Sequence, residues 1–199
     1  MNLQELKEKY RREREIAEKE MDGHSIAFTE VLAMSDILVD FWMDAFLLEI
    51  MERHIGRKPV ARNYPNITCV SPRYEGGKLL DGSTLAGKWH MDHSTIIQPA
   101  VYLTDVAKEG STTQIISGTH RLPVLDMGNL SHEYVLHNNL RVLECYGDAG
   151  SVQIHDGNAF HRLRPAEGHR RDWIKFEYCS GSNILFNLHD AIASLRNGF

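Results

Sequence analysis

From Pro59 onward, short runs rich in β-branched and aromatic residues alternate with Gly, Pro, Asn and Asp: NITCVS, STIIQPAVYL, TTQII, RVLECY, SVQIH and WIKFEY. This texture limits the possible folds more than any other feature. Each run is long enough for one strand and bounded by residues that turn the backbone. Short strands at such spacing bury their apolar faces by pairing into a sandwich or barrel. The expected fold is mainly β with bracing α-helices, around a double-stranded β-helix core of the jelly-roll or cupin kind.

Ahead of this region the pattern is helical. Residues 2–21 place Glu5/Lys9, Glu8/Arg12 and Glu15/Lys19 at i,i+4 in the favourable order, as on a solvated flanking helix. A second helix is expected from Ser35 as N-cap to Gly56, with Ile37, Leu38, Phe41, Trp42, Ala45, Leu48 and Ile55 among its apolar positions. With 199 residues the chain suits one domain. Its parts are a helical stretch over residues 1–56, a β core over 57–180 and a terminal segment over 181–199.

Composition narrows the function classes. A formal net charge of -5 argues against non-specific nucleic-acid binding, which rests on clustered Lys and Arg. No apolar run approaches the roughly 20 residues that span a bilayer. The first residues lack the apolar core of a signal peptide, so the cytoplasm is the expected compartment. Cys69, Cys145 and Cys179 lie far apart and read as free thiols rather than a metal or redox motif.

The chemistry concentrates in Trp89-His90-Met91-Asp92-His93. On a strand, His90 and Asp92 point to the same side and Met91 to the other. One distant histidine would complete a two-His, one-carboxylate facial triad, which leaves three positions of an octahedral metal open. A lone His-x-Asp also arises by chance, as a surface histidine beside a solvated aspartate, so the surrounding motifs matter.

Those motifs run from Trp89 through Glu109-Gly110, GSTTQIISGTHR, GDAGSVQIHDGNAFH and RRDWIKFEY. Over residues 35–178 the chain resembles the phytanoyl-CoA dioxygenase-like family of Fe(II)/2-oxoglutarate oxygenases. The resemblance implies metal ligation by His90, Asp92 and His161, with His161 favoured over His155 as the distal ligand. It implies iron(II) and dioxygen as reactants, and 2-oxoglutarate as co-substrate, oxidised to succinate and carbon dioxide while a substrate C–H bond is hydroxylated. A carboxylate at Asp92 leaves no vacancy for a halide and disfavours the halogenating branch. Departures are Ser117 for the proline of the family's turn, and Leu163 and Arg164 after the distal histidine.

The co-substrate's distal carboxylate calls for an arginine, whose planar fork matches it. The family register selects Arg171, whereas strict alternation puts Arg170 on the apolar face shared by Ile174 and Phe176. His93, Trp89 and Arg73 are candidate substrate contacts. Lys88, Arg121, Arg162 and Arg164 add to a basic rim that suits a small polar or anionic metabolite. Homo-oligomerisation is possible. The rival classes are another metal-dependent cupin enzyme without 2-oxoglutarate, and a catalytically silent jelly-roll binding protein.

Overall fold

A computed structural model describes residues 25–28, 36–70, 87–92, 96–122, 129–164, 166 and 168–179. Its elements are β1 (Ser25–Phe28), α1 (Asp36–Trp42), α2 (Ala45–Ile55), β2 (Val60–Val70), β3 (Trp89–His90), β4 (Ile96–Tyr102) and β5 (Thr113–Ile116). A 3-10 turn (Thr119–Arg121), β6 (Asn129–Leu130), α3 (His132–His137), β7 (Val142–Cys145), β8 (Val152–Asp156), β9 (His161–Leu163) and β10 (Arg171–Cys179) follow.

The strands form two five-stranded sheets, ordered β1-β2-β10-β4-β8 and β6-β3-β9-β5-β7. Every pairing among the described strands is antiparallel. The long central strands β2, β4 and β10 hold the first sheet together. Pro65 lies within β2, where it offers no N–H to a ladder. The β2/β10 register shifts twice nearby, between Lys175 and Glu177 and between Glu177 and Tyr178.

Both apolar cores lie on the outer faces of the sheets. Ile67, Cys69, Ile97, Ile174, Phe176 and Tyr178 on the first sheet pack against Leu38, Val39, Trp42, Leu47 and Met51 of the helices. On the second sheet Trp89, Met91, Ile116 and Phe160 pack with Val135 of α3. Alternation then turns the intervening residues inward, and many of these are polar: Gln98, Thr113, Gln153, His155, His161 and Arg171 are all buried.

The single helix expected up to Gly56 is two. It breaks after Trp42, and Asp44 starts α2 as its N-cap, its Oδ1 accepting from the Leu47 amide at 2.8 Å. An aspartate at that point competes for backbone amides and favours a restart over continuation. The end falls where expected: Gly56 takes φ 79° and its N–H donates to Glu52 O at 2.8 Å. Ser35 and the helix over residues 2–21 lie outside the described residues. The stretch expected to be helical also contains β1, which pairs Ser25–Phe28 against Val70–Ile67 and so extends the sheet beyond β2. No helix among the described residues is long and apolar enough to cross a membrane. Cys69 and Cys179 are buried, Cys145 is half-buried, and none of the three forms a disulfide.

Candidate metal centre

Two short strands bring the histidines together. β3 pairs antiparallel with β9 in the register that sets His90 opposite His161, with ring centroids 4.4 Å apart. Each ring is oriented by its own backbone: His90 Nδ1 lies 2.8 Å from Lys88 O and His161 Nδ1 2.9 Å from Ala159 O. A carbonyl accepts only, so Nδ1 is the protonated nitrogen in the neutral form of each ring, and Nε2 is then the one that offers a lone pair. That is the tautomer a metal requires. Burial, and then the charge of neighbouring His90, push the His161 imidazole below its ordinary range, which favours the neutral ligand.

Asp92 completes the group. Its Oδ1 is 4.0 Å from His90 Nε2 and its Oδ2 is 3.7 Å from His161 Nε2. One ligand atom from each of the three residues falls within 4.8 Å of the others. Beyond the end of β3 the Asp92 amide donates to Gly157 O at 2.8 Å, which fixes the carboxylate against the β8–β9 turn. Gly157 leaves room for it: a Cβ there would sit 3.0 Å from Asp92 Oδ2 and 3.1 Å from Ile96 O. Gln98 Nε2 donates to Asp92 Oδ2.

Arg171 and Arg170 part company at the start of β10. Arg170 forks onto Asp172, with Nε donating to Oδ2 at 2.6 Å, on the outer side. Arg171 is fully buried and turns inward, where Nη1 donates to Thr113 Oγ1 at 3.0 Å and the guanidinium lies 3.7 Å over the Trp173 ring. Its Nε and Nη2 have no hydrogen-bond partner among the described residues. Burial lowers Arg171 to about 10, still charged at neutral pH, and raises its neighbours Tyr102 to about 12 and Cys145 to about 11.

The remaining candidates scatter. His93 and Arg73 lie outside the described residues. Trp89 faces away from the triad: it is buried in the outer core with Arg162 stacked 4.5 Å over its ring, and its Nε1 donates to His132 Nδ1 at 3.4 Å. Alternation explains this placement, since the neighbour of an inward His90 points outward. Arg162 and Arg164 also leave the expected rim, bonding Gln114 and Glu144 on the outer face. His155 is buried beside His161, with centroids 4.8 Å apart, but is not part of the three-ligand group. Burial and then His161 hold it well below the ordinary histidine range.

Sequence reasoning missed Gln98, Gly157, Thr113 and Gln153. Gln98 was recoverable as a polar residue inside an otherwise apolar central strand, and Gly157 as the glycine of the turn beside the second ligand strand.

No protein-family model matches the chain, and no curated protein matches it in sequence. Solved structures do match. The non-heme alpha ketoglutarate dependent epimerase SnoN from nogalamycin biosynthesis superposes with TM-score 0.59 at 14% identity, over 90% of this chain and 75% of that one. The fold is a double-stranded β-helix. HygX from Streptomyces hygroscopicus, solved with nickel and 2-oxoglutarate, shares this jelly roll with TM-score 0.57 at 17% identity, over 87% of this chain and 78% of that one. EctD from S. alaskensis, solved with 2-oxoglutarate and 5-hydroxyectoine, does so with TM-score 0.54 at 16% identity, over 80% of this chain but 57% of that one. Of a further match, EvdMO1, the chain spans 36%.

Proposed function

We propose that this chain is an iron(II)- and 2-oxoglutarate-dependent dioxygenase of the phytanoyl-CoA dioxygenase-like kind, hydroxylating a small polar or anionic metabolite. The observation that carries the reading is one constellation on the inner wall. His90, Asp92 and His161 converge on a point, and the fully buried Arg171 shares their interior with two N–H groups unpartnered among the described residues. Two imidazole nitrogens and one carboxylate oxygen are the donor set that suits iron(II) while leaving open positions. A buried cation with spare donors suits an acceptor-only anion such as a carboxylate. When bound, iron(II), 2-oxoglutarate and dioxygen supply the oxidising chemistry, with succinate and carbon dioxide as co-products.

The chain's own residues do the positioning. Lys88 O and Ala159 O hold the two imidazoles with their lone pairs inward, and Gln98 orients the carboxylate. Thr113 and Trp173 hold the Arg171 guanidinium from its edge and its face. On the inner face of β10, Lys175 and Glu177 pair at 2.9 Å, a polar surface that supports a polar substrate. Incubation with iron(II), 2-oxoglutarate and ¹⁸O₂ tests the assignment by mass spectrometry. Succinate carrying one ¹⁸O atom is expected, and an iron-loaded protein that forms no succinate refutes it.

A further inference from the structure

His155 sits next to the triad and has so far been given no task. It lies on β8 opposite Gln98, edge-on to His161, and is buried. Its Nδ1 is 3.0 Å from Gln153 Nε2, while Gln153 Oε1 accepts from the Tyr102 hydroxyl at 2.8 Å. An amide nitrogen can only donate, so His155 Nδ1 accepts and the ring's single proton resides on Nε2. The tautomer is therefore opposite to that of His90 and His161, whose Nδ1–H groups donate to carbonyls. Of three clustered imidazoles, two offer lone pairs and the third offers a proton.

That proton has no acceptor: His155 Nε2 is buried without a partner among the described residues, as are Nε and Nη2 of Arg171 and Nε1 of Trp173. All four atoms belong to residues on the inner face of the first sheet, and all four are donors. Burying an N–H with nothing to receive it is costly, so such a set is retained where a ligand supplies the acceptors. We propose that His155 is a hydrogen-bond donor, through Nε2–H, to the anionic oxygens of the 2-oxo acid held between the triad and Arg171, and not a metal ligand. The Tyr102 hydroxyl, 2.8 Å from Gln153 Oε1 against 3.0 Å from its other acceptor Cys145 O, favours the Gln153 orientation and hence the His155 tautomer that make this possible. The inference rests on the proposed function and assigns this residue's part in it.

Long-range ¹H–¹⁵N NMR of the zinc-loaded protein reads the tautomers directly. His155 should appear with its proton on Nε2, and His90 and His161 with theirs on Nδ1. A proton on Nδ1 of His155 overturns the proposal. Calorimetry on the manganese(II)-loaded protein then measures 2-oxoglutarate affinity for wild type, His155→Phe and His155→Gln. His155→Phe should keep one metal per chain and bind 2-oxoglutarate about tenfold or more weakly, the effect of losing a hydrogen bond to a charged group. His155→Gln, which restores a donor, should recover most of that loss. Loss of the metal in His155→Phe would make it a ligand and sink the proposal. Unchanged affinity in His155→Phe, with wild type binding normally, sinks this proposal alone. A metal-loaded wild type that binds no 2-oxoglutarate removes the underlying reading as well.

Discussion

Arg170 and Arg171 are chemically identical neighbours with opposite environments. One forks onto Asp172 and the other is buried inward with unpartnered N–H groups. In Arg171→Ala the 2-oxoglutarate affinity should fall by about 2–5 kcal/mol, the cost of removing one partner of a buried charge pair. Arg170→Ala should change it little, and titration of both variants checks the ranking. Alternation along the strand was readable from sequence, but which face lined the site was not. The apolar face carrying Ile174 and Phe176 lies under the helices, and the polar face lines the interior. At Gly157 the constraint is purely steric, because a Cβ would press on Asp92 Oδ2 and Ile96 O. Gly157→Ala should weaken metal binding by roughly 10–100-fold, as changes that misorient a ligand do. Fluorescence competition for the metal measures it, and unaltered affinity would remove Gly157 from the support of Asp92.

At the level of elements, the runs NITCVS, STIIQPAVYL, TTQII, RVLECY, SVQIH and WIKFEY each overlap a strand of the structure. They were legible because flanking turn residues and β-branched content agree. Among the described residues, the strand expected over 89–93 is only the two residues of β3, with Asp92 beyond its end. The two-residue β6 and six-residue α3 were not legible, since too few residues carry a period and the pairing partner decides them. The break between α1 and α2 was missed because the apolar stripe continues through it while one cap, Asp44, restarts the backbone. Asp44→Ala should therefore cost about 1 kcal/mol, the usual value of an N-cap, read from the urea midpoint at unchanged slope. The helices are also tied to β10 by the Tyr178 hydroxyl, which donates to Trp42 O at 2.7 Å. Tyr178→Phe should cost about 1–3 kcal/mol, since it leaves that carbonyl without this bond in the core.

Across the described residues, the clustered apolar side chains of the strands serve the outer faces, against helices, and buried polar side chains turn to the interior between the sheets. That His90, Asp92 and His161 belong together was expected from the His-x-Asp pattern and from the family resemblance, in which a Gly-Asp-led strand precedes the second histidine. Their convergence depends on the β3/β9 register, which no local signal specifies. Because the unfolded chain cannot assemble this group, a divalent metal at about 100 times its Kd should raise stability by about 2.7 kcal/mol. Thermal denaturation should show that increment in wild type and not in His90→Ala or His161→Ala. The central claim, a metal and a 2-oxo acid held together by this inner wall, is tested most directly by an anaerobic absorption spectrum with iron(II) and 2-oxoglutarate. A weak visible charge-transfer band is expected in wild type, absent in His161→Ala and needing much more 2-oxoglutarate in Arg171→Ala. Iron bound at the triad with no band at saturating 2-oxoglutarate would contradict it.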